Sequence, residues 1–590
     1  MARVRSLALA LLLIAHASVS FAATPSSDPS AALAPSPSGS AAGKALRRGP
    51  VVVAIVVDQL AAWIADARFP LLPRDGGFAR LVREGTYVRE MRYAHACTDT
   101  APGHAALFTG ATPRVSGIFA NEWIDDHGET VSIVTDPAVR VVPASEDYVG
   151  SSLRALRVDT VADRLRADRP NATIASFSLK ERGALFGGGR RPDANAWYDR
   201  SLGRFVTSSA FAETWPAWLP AVASAPLATP PASWELLDAS FVRANSASPD
   251  PEPGEGDVAG LGITFPHPPP RPDIAAGAFR ISPRADEVLL EIALAAVDRH
   301  ESTRPDEPAL IAVSLSTNDY VGHVFGPDSF EAWDELRRLD GALGRFFAAL
   351  DSKLGPDGWA AILSADHGVA TLPELTGTPR IEAECRATAV PGRPRRSCAK
   401  GARLFAEALR SDAVRAAELA LGAGDWIRGV ADPYVVYSAA ARALDLERRA
   451  RLDAAVVKAL AANPDLERVV AVTSLPAKCP PEQPETLEGL VCAAYPPGAP
   501  GDVYLVPRPG VFVDTGISAG HGSSHGTPHL YDRAVPLLVR APGRVSAGRV
   551  LDGPVGFRAF ARTASSLLGV APPRAAREGR DLTAEWTPPS

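Results

Sequence analysis

Val51-Val52-Val53-Ala54-Ile55-Val56-Val57 is an unbroken apolar run, β-branched at all but one position, that ends on Asp58. A run without polar alternation suits a strand buried on both faces, as in a parallel sheet covered by helices. The pattern returns twice. Ala309-Leu310-Ile311-Ala312-Val313-Ser314-Leu315-Ser316 leads to Asp319, and Trp359-Ala360-Ala361-Ile362-Leu363-Ser364 leads to Asp366-His367. Amphipathic helical patterns lie between the runs, at Ser152 to Ala167 and at Phe330 to Leu350. Strands alternating with helices predict an α/β fold of three layers, with a mostly parallel central sheet and helices on both faces. In such sheets ligands bind beyond the carboxyl ends of the strands, where these polar residues fall.

Outward from this frame the chain changes character. Residues 1–23 combine a basic start (Arg3, Arg5), a short apolar stretch and small residues near Ala22 and Ala23, the pattern of a secretory signal peptide. Residues 24–49 are Ala, Ser, Pro and Gly with few large apolar side chains, so a disordered linker is expected before an ordered domain at 50–590. Two stretches interrupt the alternation. Residues 220–272 are rich in Pro, Ala and Ser and read as a surface insertion, and 377–502 read as an inserted cap with helical patterns at Gly401 to Leu421 and Ala439 to Ala462.

Of five cysteines, Cys385 with Cys398 and Cys479 with Cys492 lie at loop-closing separations, so two local disulfides are expected, although spacing alone does not fix connectivity. Cys97 is left over. A periplasmic or secreted location fits both the leader and these pairs. The 590 residues hold 61 basic and 67 acidic side chains without a long basic run, so no footprint for nucleic acid or an anionic membrane is present. After the leader, no segment supplies the roughly 20 apolar residues of a membrane span. A small anionic substrate held by local charge remains compatible. The oligomeric state is left open, a monomer included.

Asp58, Asp319 with His323, Asp366-His367 and His525 form two potential ligand sets of Asp and His, a mixture suited to zinc. Two such sites about 4 Å apart clamp both oxygens of an in-line phosphoryl displacement. Any one of these residues alone reads equally well as a turn carboxylate or an ordinary imidazole; their recurrence after strands is the signal. In Cys97-Thr98-Asp99-Thr100-Ala101-Pro102-Gly103-His104, a hydroxyl residue precedes a Pro-containing helix start. Thr100 is therefore placed where backbone N–H groups favour an anion, though a lone Thr there reads as a simple cap. His104, one turn later, is expected to pack or orient this loop. The glycines around His521, His525 and His529 argue for a loop.

These residues carry a resemblance. Ile55-Val56-Val57-Asp58-Gln59, Thr100-Ala101-Pro102-Gly103-His104, Gly117 to Trp123, Ser178 to Gly183, Asp319 to His323, Ala365 to Gly368 and His525-Gly526 resemble, in order, motifs of the alkaline phosphatase superfamily. Within it the chain is most similar to the PafA-like phosphatases, which use a threonine nucleophile. The resemblance implies one zinc on Asp319, His323 and His525 and a second on Asp58, Asp366, His367 and the Thr100 oxygen. It places Asn121, Lys180 and Arg182 on the phosphoryl oxygens. An Arg fork and a Lys point charge suit that group, whereas alone the trio reads as a turn cap and a charged loop.

The implied activity is zinc-dependent hydrolysis of small phosphate monoesters through a phosphothreonine. The alternatives are a phosphodiesterase or nucleotide pyrophosphatase of the same superfamily, and a non-catalytic phosphate-binding protein. Cys97-Thr98-Asp99-Thr100-Ala101 lacks the Cys-x-Pro-x-Arg pattern of sulfatases.

Overall fold

Every residue of Val51–Val57 is buried, because the strand is flanked on both edges and covered on both faces. It runs parallel to Ala309–Leu315 on one side and Trp359–Ser364 on the other. Val57 stands opposite Leu315 and Val56 opposite Ser364, so the three strands end level. That register brings the residues after them, Asp58, Asp319 and Asp366, to one edge of the sheet.

The computed structural model describes residues 48–585 apart from 126, 146, 225–231, 379–399, 484 and 515–518. The leader, most of the linker and the Cys385–Cys398 pairing lie outside the described residues. Arg48 and Gly49, grouped with the linker by composition, are already attached to the fold. Arg48 pairs with Glu301 at 2.6 Å, and the Gly49 N–H donates to the Pro305 carbonyl at 3.2 Å.

The central sheet has twelve strands. Across it run Arg549–Leu551, Thr86–Arg92, Ala534–Arg540, Trp359–Ser364, Val51–Val57, Ala309–Leu315, Thr173–Ser178, Ala194–Asp199, Arg204–Ser208, Thr135–Val142 and Val149–Ser151, with Val555–Gly556 also paired to Thr86–Arg92. The five strands from Trp359–Ser364 to Ala194–Asp199 are parallel, and antiparallel neighbours enter on either side. Arg284–Thr303 and Phe330–Leu354 pack together in one helical layer; Thr100–Thr109, Glu181–Gly188 and Arg558–Leu568 make the other. Phe346 and Phe347 are buried beneath the first layer, each contributing about 1.5–3 kcal/mol by leaving water.

The expected helix at Ser152 to Ala167 begins only at Val161. Thr160 Oγ1 accepts the Asp163 N–H at 3.0 Å while Asp163 accepts the Thr160 N–H at 3.1 Å, a capping box that fixes the start. In Gly401 to Leu421, Ala402–Phe405 is a strand paired with Val511–Asp514, and the helix is Ala406–Leu421. Ala439 to Ala462 is divided into Ala439–Arg442 and Leu446–Leu460, since Asp445 caps the second piece through the Arg448 N–H. Residues 232–272, expected on the surface, are partly interior: Val242 and His267 are fully buried.

Between 401 and 507 a four-stranded sheet, Ile427–Ala431, Tyr434–Tyr437, Val503–Pro507 and Leu466–Ala471, packs with its helices around a second apolar core. Cys479 and Cys492 are disulfide-bonded and Cys97 is a free, buried thiol. A disulfide suits an oxidising compartment. Among the described residues no helix is long and apolar enough to cross a membrane. Because the disulfide closes a separation of 13 residues, Cys479→Ala/Cys492→Ala is expected to lose about 3 kcal/mol of stability. Urea unfolding of wild type with and without reductant, beside the double variant, checks this. Identical midpoints in all three would assign the bridge no stabilising role.

Candidate active site

Thr100 opens the helix Thr100–Thr109, all of whose residues are buried, after Asp99 in extended conformation. The Ala101 N–H donates to Asn121 Oδ1 at 2.8 Å, so Asn121 anchors the helix start and sits beside the nucleophile candidate. His104 binds the carbonyl of Thr100 through Nδ1 at 2.9 Å and Ser314 Oγ through Nε2 at 2.9 Å. Its Nδ1 is also 3.1 Å from Asp366 Oδ2, so one imidazole ties the helix, a central strand and a candidate ligand together. This is the orienting role expected of it.

Three histidines share one arrangement. Each directs Nδ1 at a backbone carbonyl: His323 at Ser523 (2.9 Å), His367 at Gly368 (3.0 Å) and His525 at Thr98 (2.9 Å). A nitrogen facing a carbonyl must be the donor, which leaves Nε2 as the lone pair in the neutral ring. Those Nε2 atoms point at carboxylates. His323 Nε2 is 3.2 Å from Asp319 Oδ1 and His525 Nε2 is 3.6 Å from it, while the two nitrogens are 3.2 Å apart. His367 Nε2 is 3.4 Å from Asp58 Oδ1 and 3.5 Å from Asp366 Oδ2. The fold thus gathers both expected sets, Asp319 with His323 and His525, and Asp58 with Asp366 and His367. The His367 and His525 rings stack with centroids 3.6 Å apart, joining them. Ligand atoms of Asp319, His367 and His525, and those of Asp58, Asp366 and His367, lie within 4.8 Å of one another, close enough to hold a metal ion, so His367 belongs to both groups.

Charge is concentrated here. Burial first, then Asp319 and Asp366, push the Asp58 carboxyl up to about 6. Burial would also raise Asp319, but His323 and Lys180 hold it well below the usual carboxylate range. Lys180 Nζ lies 2.6 Å from Asp58 Oδ2, 2.5 Å from Asp319 Oδ2 and 3.3 Å from Thr100 Oγ1. The lysine expected on a phosphoryl oxygen therefore also joins the two carboxylates of separate sets. Arg182, two residues on at the start of Glu181–Gly188, pairs with Glu181 at 3.2 Å and lines the same cavity of about 780 Å³.

Sequence reasoning passed over several residues that shape this site. Gln59 adopts φ 69°, a left-handed conformation unusual for a side-chain-bearing residue, and its Nε2 donates to Asp319 Oδ1 at 2.9 Å. Asp99 Oδ1 is 3.3 Å from His525 Nδ1. Tyr320, on the cavity wall, takes an Arg280 hydrogen bond at 2.9 Å. Gln59, Asp99 and Tyr320 each adjoin a residue that was singled out, the one signal available for them. Arg280 carried none.

A family model, type I phosphodiesterase / nucleotide pyrophosphatase, matches residues 52–170 and 193–527, and the chain belongs to this family, within the alkaline phosphatase superfamily. Particular relatives are alkaline phosphatases by name. Alkaline phosphatase PhoK of Sphingomonas sp is 30% identical over 504 residues, 83% of either chain. Alkaline phosphatase PafA of Elizabethkingia meningoseptica is 32% identical over 333 residues, 55% of this chain and 61% of PafA, so more than a third of that protein lies outside the aligned stretch. The crystal structure of wild-type PafA superposes with a TM-score of 0.75 at 26% identity, covering 91% of this chain and 98% of that one. A PafA variant substituted at a threonine, an asparagine, a lysine and an arginine superposes equally well, at 25% identity over 91% and 99% of the two chains. The three-layer α/β fold is thereby the PafA fold.

Gly103 sets the distance between the Thr100 helix and the Asp366-His367 turn, because a Cβ there would lie 2.1 Å from the Asp366 carbonyl oxygen. Gly103→Ala is expected to push these two elements apart and, under the function proposed below, to lower turnover of p-nitrophenyl phosphate by about 10²-fold, the scale of an ångström-level misplacement. Steady-state kinetics with circular dichroism as a folding control tests it. A folded variant of wild-type activity would show that the spacing does not matter.

Proposed function

We propose that the chain is a two-zinc phosphomonoesterase in which Thr100 is transiently phosphorylated. The observation that carries this reading is the common orientation of His323, His367 and His525, Nδ1 to a carbonyl and Nε2 inward, around carboxylate oxygens beside Thr100. The donor set fits zinc. Asp58 Oδ1 and His367 Nε2 are buried and make no hydrogen bond among the described residues, and mixed imidazole and carboxylate ligands match the ion's preference. In this reading one ion is held by Asp319, His323 and His525 and the other by Asp58, Asp366, His367 and Thr100. When bound, the pair would make the Thr100 hydroxyl more acidic and offset charge on the departing oxygen.

The chain's own residues do the rest. Thr100 Oγ1 loses its proton to water and attacks phosphorus opposite the leaving oxygen, the bond to that oxygen breaks with its electron pair, and the departing alkoxide takes a proton from water to leave as the alcohol. At the start of Thr100–Thr109 the Ala101 N–H is taken by Asn121 Oδ1, the Gly103 N–H by the Asp99 carbonyl, and Pro102 has none, so the transferred group is met by side chains. Asn121, held through its Oδ1 to Ala101, keeps its amide donors for a phosphoryl oxygen, and Arg182 offers its planar fork to the others. Lys180 reaches the reacting atoms from where it stands, 3.3 Å from Thr100 Oγ1. Water then hydrolyses the phosphothreonine and releases inorganic phosphate.

The monoester preference rests on Lys180 and Arg182, two cations suited to the extra charge of a monoester. The choice of Thr100, Asn121, Lys180 and Arg182 as the site is supported by the PafA variant, altered at the same four residue types. The name of the matched family favours the diesterase alternative. Small phosphate esters outside the cytoplasm complete the proposal: the leader at 1–23 would direct export, 377–502 would form a cap over the 50–590 catalytic domain, and the disulfide supports the compartment.

The ratio of kcat/KM for p-nitrophenyl phosphate to that for bis-p-nitrophenyl phosphate decides between the branches. A monoester preference in the zinc-loaded enzyme that falls about 10²-fold or more in Lys180→Ala/Arg182→Ala supports the assignment. A diester preference indifferent to that change moves the protein to the phosphodiesterase branch. Acid quenching during turnover is expected to trap phosphate on Thr100 in wild type and none in Thr100→Ala. Tight phosphate binding without hydrolysis would mean a binding protein instead.

A further inference from the structure

A second group of acidic residues lies outside the candidate active site, where residues 246–262 fold against the first turn of Phe330–Leu354. Asp250, Glu255 and Glu331 each offer one carboxylate oxygen, and these oxygens lie within 4.8 Å of one another. Glu331 is 0% and Glu255 5% exposed. Their Oε2 atoms, and Asp250 Oδ1, are buried and make no hydrogen bond among the described residues. The remaining ties are directed elsewhere. Asp250 Oδ2 accepts the Phe265 N–H at 3.0 Å, and Glu331 Oε1 faces His267 Nε2 at 3.0 Å. His267 is in turn fixed by its Nδ1–H donating to the Leu261 carbonyl at 3.0 Å.

The charges do not balance. Even with His267 protonated, three carboxylates against one imidazolium leave a net charge of −2, with Glu331 and Glu255 buried away from water and Asp250 half-buried. Buried charge of this kind persists only when it is paired, protonated or bound to a metal. Three oxygen donors without a thiolate or free imidazole suit a hard cation that also accepts backbone oxygens or waters, Ca2+ rather than zinc.

We propose that Asp250, Glu255 and Glu331 form a structural Ca2+ site, separate from the candidate zinc centre. Its place in the fold gives it a task. The Gly256 N–H donates to the Val324 carbonyl at 2.8 Å, next to His323, and the Gly254 carbonyl accepts the Gly522 N–H at 2.6 Å, three residues before His525. The ion would hold the loop that braces both segments, so its loss would loosen His323 and His525 without removing a catalytic group.

The test uses the full-length, zinc-saturated protein stripped of calcium, and Ca2+ itself as the probe. Element analysis after gel filtration is expected to find one calcium per chain in addition to zinc, and Ca2+ is expected to raise Tm by several degrees. Asp250→Asn and Glu255→Gln are expected to keep their zinc while losing both the calcium and the shift. No retained calcium and an unmoved Tm in wild type would overturn the proposal, as would variants that keep the ion. A Glu255→Gln protein more stable than wild type and indifferent to calcium would show a shared proton in place of a metal. Should the variants fail to fold, Tb3+ luminescence of wild type decides, excited through Trp234, whose ring is 5.2 Å from His267. Calcium-displaceable emission that is lost in Trp234→Phe supports the site, and its absence from wild type rejects it.

Discussion

Asp58 and Asp319 are brought together by level strand ends and kept together by Lys180, which lies within 2.6 Å of a carboxylate oxygen of each. Removing three charges from water costs several kcal/mol per ion unless each finds an opposite charge. The ammonium provides that for both acids at once and touches the Thr100 hydroxyl as well. Lys180 itself is placed by the end of Thr173–Ser178, where its N–H donates to Ser178 Oγ at 3.1 Å. Strand register, carboxylate pair, lysine and nucleophile therefore form one construction, in which shifting any member moves the others.

The parts least like a plain α/β sheet serve this construction from outside. Residues 254–256 hydrogen-bond to the helix bearing His323 and to the loop bearing His525. Asp432, in the turn between two strands of the 401–507 region, lines the same cavity as Thr100. The cavity thus combines a rigid floor of strand ends with walls supplied by long connections, the usual division between scaffold and site.

Most of the floor was legible in the sequence and most of the walls were not. Continuous β-branched runs ending in Asp, and a Thr before a Pro-containing helix start, are local signals that survive in any context. Gln59 and Asp99 carry no such signal, since their partners Asp319 and His525 lie hundreds of residues away and become neighbours only through the sheet order. The helix starting at Val161 was placed too early because apolar spacing extends past its true beginning. Thr160 and Asp163, a visible T-x-x-D pattern, mark that beginning. The interior character of Val242 and His267 was hidden for a different reason: Pro-rich composition reports a lack of regular structure, not a lack of burial.

The connectivity of the sheet also determines when the site comes into being. Asn318, beside Asp319, reaches the Asp58 carbonyl across 260 residues of chain, and His525 reaches the Thr98 carbonyl across 427. Closing loops of this length carries an entropic cost that only the assembled sheet repays, which makes such contacts late arrivals on a folding pathway. A half-folded chain can own every ligand and still have no pocket to put them in. Metal uptake would then mark the completion of folding, and a cell in which the metal is scarce would accumulate finished scaffolds, not unfolded ones.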